Sequence, residues 1–456
     1  MNYFDEHAGR FEEELFAFLR IPSVSTLPEH AGDVRRAAEY VADELRWSGF
    51  DNARLVEKAG HHPLVRADWL DAPGRPTILF YGHYDVQPAE PLNEWRTPPF
   101  EPSVRDGNVY ARGAVDDKGQ VWLALKAFEG LLKTTGRLPV NVKVLIEGEE
   151  EVGGEHVSEY VEAEREALRA DAALVCDTEM FAPGLPTICT ALRGIVYGEL
   201  IVEGARTDLH SGVYGGAAPN PLMAVAEILT ALKDRHGRIL IPGFLDKVRP
   251  PEKAELEAWS RLPFDEEAYR ENEVGARELT GEPEYTVLER VWARPTVEVH
   301  GIRGGFTGEG AKTVIPARAV AKVSMRLVAD QEPDEAVRQM QAAVAAACPR
   351  GVRARYEAIH AGGPCMVSPE NRYVRKAAEA LRETFGKEAV YIRGGGSIPI
   401  VGLFQRHLGI ASVLMGFGLP DDNLHAPNEK FHLPNFHLGI RTVARYLALL
   451  GENGKV

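Results

Sequence analysis

No stretch of this 456-residue chain approaches the roughly 18 consecutive apolar residues of a membrane-spanning helix. The opening residues, Met1-Asn2-Tyr3-Phe4-Asp5-Glu6, are acidic and lack an apolar core, so they do not read as a secretory signal. Cysteine is scarce. Cys176, Cys189, Cys348 and Cys365 are scattered without paired spacing, which excludes a disulfide framework or thiolate zinc site and fits a reducing cytoplasm. Positive charge is also short: 52 Lys and Arg stand against 67 Asp and Glu, for a net charge of −15. No Lys/Arg cluster supplies a nucleic-acid groove. Internal repeats and low-complexity tracts are absent. Gly394-Gly395-Gly396 lacks the Lys-Ser/Thr and the strand–loop–helix setting of a phosphate loop.

What is present is ordinary for a soluble globular protein: 45% hydrophobic and 26% charged residues, in a chain long enough for two or three domains. Residues 4–20 and 33–48 read as amphipathic helices, the second with Asp33 as N-cap and Gly49 as its close. Residues 64–69 and 77–81 read as strands, and the second is apolar throughout, as a strand covered on both faces would be. Helix 120–134, strand 140–146, helix 158–168 and strand 172–176 continue the alternation, which predicts a sheet with parallel strands and helices on both faces. Near Arg193 the pattern changes to strands 195–203, 296–300, 317–328 and 352–359 with helices 221–233 and 333–347. Along 317–328, Ala319, Ala321, Val323, Met325 and Leu327 form one face, and Lys322, Ser324 and Arg326 the other. The expectation is a first domain over 1–193 and 359–456, interrupted by a smaller α+β sandwich over 194–358.

Two acidic knots flank the 120–146 helix and strand: Asp116-Asp117, and Glu147-Gly148-Glu149-Glu150-Glu151. Crowded carboxylates stay ionised together only with positive charge among them. His83, Glu151 and Asp177 each fall just past a strand end, where ligands of such sheets collect. Asp85, two residues beyond His83, can take the other ring N–H and fix its tautomer. Asp116 could bridge two ions. Glu150 and Glu151 cannot both point one way, so one can bind metal while the other hovers over its water. With His425, the set holds two His and three carboxylates, without sulfur. That suits zinc, manganese or cobalt, and five ligands exceed one tetrahedral site, so a two-metal site is expected.

The motifs Gly82-His83-Tyr84-Asp85-Val86, Gly113-Ala114-Val115-Asp116-Asp117-Lys118-Gly119, Glu149-Glu150-Glu151-Val152-Gly153 and the segment 416–427 resemble those of the M20 family of dinuclear metallopeptidases, within it the dipeptidase branch. The resemblance implies an α/β fold: a sheet-and-helix catalytic domain, phosphorylase/hydrolase-like and of the zinc-peptidase type, with the inserted domain as lid and dimerisation element. It implies His83, Asp116 and Asp177 around one ion, and Asp116, Glu151 and His425 around the other, with two divalent ions per subunit, zinc first and manganese or cobalt as alternatives. Glu150 becomes the general base toward metal-activated water and Asp85 the orienter of His83. A cis peptide is implied at Asp116-Asp117. His210 becomes an oxyanion donor reaching the partner subunit of a homodimer, and Thr313 and Ser397 match substrate-end binders. Arg326 could hold the substrate carboxylate. One departure is Gly394, where the branch usually carries an acid.

Other readings stand beside these. Arg326 could pair with an acid of its own sheet, and Thr313 and Ser397 could be cap or turn residues. His61, His62, His156 and His300 read as surface or core. The expected function is metal-dependent hydrolysis of dipeptides or short peptides in the cytoplasm, without nucleic-acid or membrane partners. The alternatives are an amidohydrolase removing acyl, succinyl or carbamoyl groups from amino acids, and a catalytically silent metal-binding protein on the same fold.

Overall fold

The apolar run Thr77–His83 has no polar face to turn to water, and it lies in the interior of a mixed sheet. In this computed structural model residues 2–452 are described, and the expected domain limits at residues 1 and 456 lie outside them. Among the described residues the sheet has nine strands, seven of which follow one another in the order Asp51–Val56, Leu64–Trp69, Asn141–Glu147, Thr77–His83, Ala172–Val175, Ala411–Leu414, Thr187–Leu192. The central pairs are parallel, as the strand–helix alternation requires, and the flanking pairs are antiparallel. Side chains alternate along Thr77–His83. Ile78 and Phe80 enter the larger core, while the Tyr81 ring meets Phe404 edge-on on the opposite face at 5.8 Å.

That larger core is built on helix Lys118–Thr135, which is buried without a break from Lys118 to Gly130. It packs against helices Ala8–Leu19, Ala31–Ser48 and Leu433–Glu452. Two local details differ from the sequence reading. The first helix is split at His7 into Asn2–Glu6 and Ala8–Leu19. The second begins earlier, at Ala31, because Pro28 starts a short 3-10 turn that leads into it. Asp33 is therefore not the cap: it sits in the first turn, its Oδ2 2.7 Å from His30 Nδ1. Gly49, in the left-handed region at φ 105°, closes the helix as expected.

The chain forms two compact units, one of Met1–Thr190, Val367–Ile392 and Leu403–Val456, the other of Ala191–Met366 and Arg393–Gly402. The second unit holds an antiparallel sheet in the order Thr296–Gly304, Arg318–Leu327, Gly194–Glu203, Arg353–Gly362. Ala319, Ala321, Val323, Met325 and Leu327 lie on its inner face, under helices Pro221–Leu232 and Pro333–Ala347. Its polar face carries Arg326, Ser324 and a stack in which the Tyr197 ring lies between His300 and His360, at 5.6 and 5.3 Å. A domain limit at 358/359 would cut Arg353–Gly362, the strand that completes this sheet. Residues 393–402 also group with this unit. No helix of the described residues is long and apolar enough to cross a membrane.

Candidate metal centre and active site

Parallel pairing puts the carboxyl ends of Thr77–His83, Asn141–Glu147 and Ala172–Val175 on one rim. His83 ends the first strand, Glu150 and Glu151 occupy a 3-10 turn after the second, and Asp177 follows the third. Asp116 and Asp117 come from the turn before helix Lys118–Thr135, and the peptide bond between them is cis. This turn lies so close to the helix that a Cβ on Gly119 would sit 2.0 Å from the Ala114 carbonyl oxygen.

His83 Nε2 is 3.1 Å from Asp116 Oδ1 and 3.9 Å from Asp177 Oδ2. The other oxygen of Asp116 is 2.9 Å from His425 Nε2, which lies 3.4 Å from Glu151 Oε2. Each oxygen of Asp116 thus faces one histidine. His83, Asp116, Glu151, Asp177 and His425 come together from five separate segments. Asp117 joins them unforeseen: it offers a ligand atom within 4.8 Å of those of His83 and Asp177. As the neighbour of a candidate bridging residue it reads in sequence as part of an acidic turn, and only the backbone path aims it inward.

Asp85 does more than orient a ring. His83 Nδ1 lies 3.0 Å from the Asp85 carbonyl oxygen and 3.3 Å from its Oδ1. The same carboxylate accepts the Ser25 hydroxyl at 2.6 Å and the N–H groups of Glu150 and Glu151 at 3.3 and 3.2 Å. It therefore fixes the imidazole and the acidic turn together. Glu429, also unforeseen, is fully buried and accepts from Arg112 at 2.8 Å and from the N–H groups of Gly113, Val115 and Asp116 at 2.9, 3.0 and 3.2 Å. It holds the loop that presents Asp116. The available signal was an acid placed four residues beyond His425.

The electrostatics show a site short of positive charge. Burial, aided by the Asp116 charge, raises Asp177 to about 7. Burial also pushes Glu150 and Asp117 well above the usual carboxylate range. Asp116 is the exception: burial would raise it, but hydrogen bonds from His425 and His83 hold it down. Buried Oε1 of Glu151 and Oδ1 of Asp117 have no hydrogen-bond partner among the described residues. Excess carboxylate, unsatisfied oxygens and two imidazoles without sulfur fit divalent cations of the zinc, manganese or cobalt kind.

The expected substrate residues lie in the second unit as two pairs. Leu209–His210 forms an antiparallel ribbon with Val314–Ile315, and Ser211 N donates to Thr313 O at 3.1 Å, so exposed His210 and Thr313 are neighbours. Arg326 NH1 donates to Ser397 Oγ at 2.7 Å. No hydrogen bond or ion pair joins the two pairs among the described residues. Arg326 pairs with no acid of its sheet, whereas His300 bonds Ser324 at 2.7 Å. His61, His62 and His156 gather structurally around Glu149, whose carboxylate accepts His62 N at 2.7 Å and His156 N at 3.3 Å, with His61 Nδ1 at 3.2 Å.

A sheet rim that gathers histidines and carboxylates about a shared aspartate is the architecture of a metallohydrolase, and the chain belongs to peptidase family M20/M25/M40, whose model matches residues 79–449. It is similar to Cys-Gly metallodipeptidase DUG1 of Candida albicans, with 33% identity over 466 residues, covering 98% of this chain and 96% of that protein. Among solved structures it is similar to the dipeptidase Dug1p of Saccharomyces cerevisiae, with a TM-score of 0.86 and 30% identity over 100% of this chain and 98% of that one. Human carnosine dipeptidase 1 gives a TM-score of 0.84 and 30% identity, over 99% of this chain and 98% of that one.

Proposed function

We propose that the protein is a metal-dependent dipeptidase. The observation that carries this reading is the placement of Asp116, with its oxygens 3.1 and 2.9 Å from two different histidines. The similar proteins named as dipeptidases support the substrate class. His83, Asp116 and Asp177 would hold one divalent ion, with Asp117 beside them, and Asp116, Glu151 and His425 the other. Zinc is the first choice, with manganese and cobalt compatible with the same donors. Such ions polarise a scissile carbonyl and acidify water, to a pKa of about 7 for zinc.

The chain's own residues supply the rest. Glu150, in the turn that Asp85 secures, takes the proton from the attacking water and passes it to the leaving amine. Arg326 and Ser397 hold the substrate carboxylate. His210, with Thr313 beside it, donates to the developing oxyanion. The unit inserted after residue 193 acts as lid and dimerisation element. The edge position of Thr296–Gly304 and the exposure of Val213, Tyr214, Met223, Ile302 and Phe306 support this. The setting is a reducing cytoplasm, consistent with four cysteines that form no disulfide among the described residues.

The test is a panel of free and N-blocked dipeptides against protein reconstituted with zinc, manganese or cobalt, with bound metal measured. Free dipeptides should be cleaved. Glu150→Ala should keep its metal and lose at least about 10²-fold in turnover. Cleavage of blocked substrates alone would replace this reading with acyl-amino-acid hydrolysis.

A further inference from the structure

Two guanidinium groups of the second unit are tied to one short loop, and neither meets a carboxylate. Arg193 donates through Nε to Gly395 O at 2.7 Å and through its backbone N–H to Gly396 O at 3.1 Å. Arg326 donates to Ser397 Oγ, the next residue of the loop, at 2.7 Å. Among the described residues, no Asp or Glu oxygen lies within ion-pair distance of either. The loop is compact around them: a Cβ on Gly395 would lie 3.3 Å from Val291 O and 3.4 Å from an Arg193 guanidinium nitrogen.

Nearby charges cancel elsewhere. Arg393 is held by Glu255 through contacts of 3.0 and 2.7 Å, and Glu298 is taken by Lys233 at 3.0 Å. Burial, and then the charge of Arg326, lowers Arg193 to about 10. Burial likewise lowers Arg326, and burial and the Arg326 charge pull the His360 imidazole down. Two half-buried cations that repel one another therefore have no direct ion-pair partner: the charge of Glu298 supports Arg193 only from a distance, and Lys233 already holds it. One carboxylate compensates one of them, whereas a ligand with two carboxylates can compensate both through charge-assisted hydrogen bonds.

We propose that Arg193 is a specificity-determining residue that, beside Arg326, receives the side-chain carboxylate of substrates whose C-terminal residue is Glu or Asp. The enzyme thereby prefers such dipeptides to their Gln or Asn counterparts. This rests on the reading of Arg326 and Ser397 as holders of the terminal carboxylate. Arg193 itself touches no reacting atom.

Calorimetry on the full-length, metal-loaded protein with L-glutamate and L-glutamine tests it without turnover, because these ligands differ by a single charged oxygen position. Glutamate should bind at least about tenfold more tightly, the scale of one charge-assisted hydrogen bond. Arg193→Gln should collapse that ratio, and Arg193→Lys, which keeps the charge but not the planar fork, should retain part of it. A merely structural loss would weaken both ligands alike and leave the ratio intact. The kcat/KM ratio of Gly-Glu to Gly-Gln should follow the binding ratio. Equal binding of the two amino acids by the unaltered protein overturns the proposal even if Arg193→Gln fails to fold, and so does an unchanged ratio in either variant. Failure to cleave any dipeptide would instead count against the dipeptidase reading, with the binding ratio still deciding the role of Arg193.

Discussion

Glu429 has no exposed surface, and all four of its donors come from the stretch Arg112 to Asp116. One carboxylate thus satisfies three backbone N–H groups and a buried guanidinium. Removing it leaves those donors in a place that water does not reach, and a broken buried ion pair costs about 3–5 kcal/mol. Glu429→Ala should destabilise the protein on that scale in denaturant melts and weaken metal retention, because the loop it holds presents Asp116. A loss under about 1 kcal/mol, the value of an ordinary hydrogen bond, would mean that the loop stands without it. Glu150 contrasts with it. Its expected loss lies in turnover with metal kept, since in the proposed mechanism it would serve as base while others would do the holding.

Between elements, the first unit is tied by Lys126, buried on helix Lys118–Thr135. Its ammonium reaches Glu14 on helix Ala8–Leu19 at 2.5 Å, Glu44 on helix Ala31–Ser48 at 2.9 Å and Glu129 on its own helix at 2.8 Å. One cation cannot balance three carboxylates, although Arg10 also reaches Glu129. Burial therefore raises Glu44 from 4.5 to about 7, against the pull of Lys126. A carboxyl that keeps its proton more firmly in the folded state contributes stability below its unfolded value. That contribution is lost as pH rises through the folded value. Stability should thus fall between about pH 4.5 and 7 by roughly 1–3 kcal/mol on this account. Glu44→Gln removes the titration, so its melting temperature, measured relative to the unaltered protein, should rise across that window. A constant difference would show that Glu44 does not titrate there.

For the whole molecule the question is whether one chain suffices. Exposed His210 lies on a ribbon of the second unit, and exposed apolar side chains lie on the same unit. The proposed homodimer, in which His210 would serve the partner's site, would account for both. Mixing His210→Ala with Glu150→Ala subunits should then restore activity, because one hybrid site has both residues, up to about a quarter of the unaltered level if subunits reassort at random. No recovery after confirmed subunit exchange would rule out service across the dimer. Removing metal with a chelator should lower the melting temperature as well as activity, since binding stabilises the folded state by mass action.

The linear chain carried the alternation of apolar strands and amphipathic helices, the change of pattern near residue 193, and the residue types of a candidate nitrogen–oxygen metal site. These are local or periodic properties, and motif spacing placed His83, Asp85, Asp116 and Asp177 near strand ends and turns. It did not show Glu429 beneath the Asp116 loop, 313 residues away from Asp116, or Asp117 turned inward beside Asp177. Nor did it show that residues 393–402 belong with the inserted unit, where Arg193 and Arg326 meet one loop. Those facts depend on which distant backbone groups need a buried partner and on where sheet pairing brings them. Sequence spacing carries no record of that, because hydrogen-bond satisfaction is decided only when the segments pack.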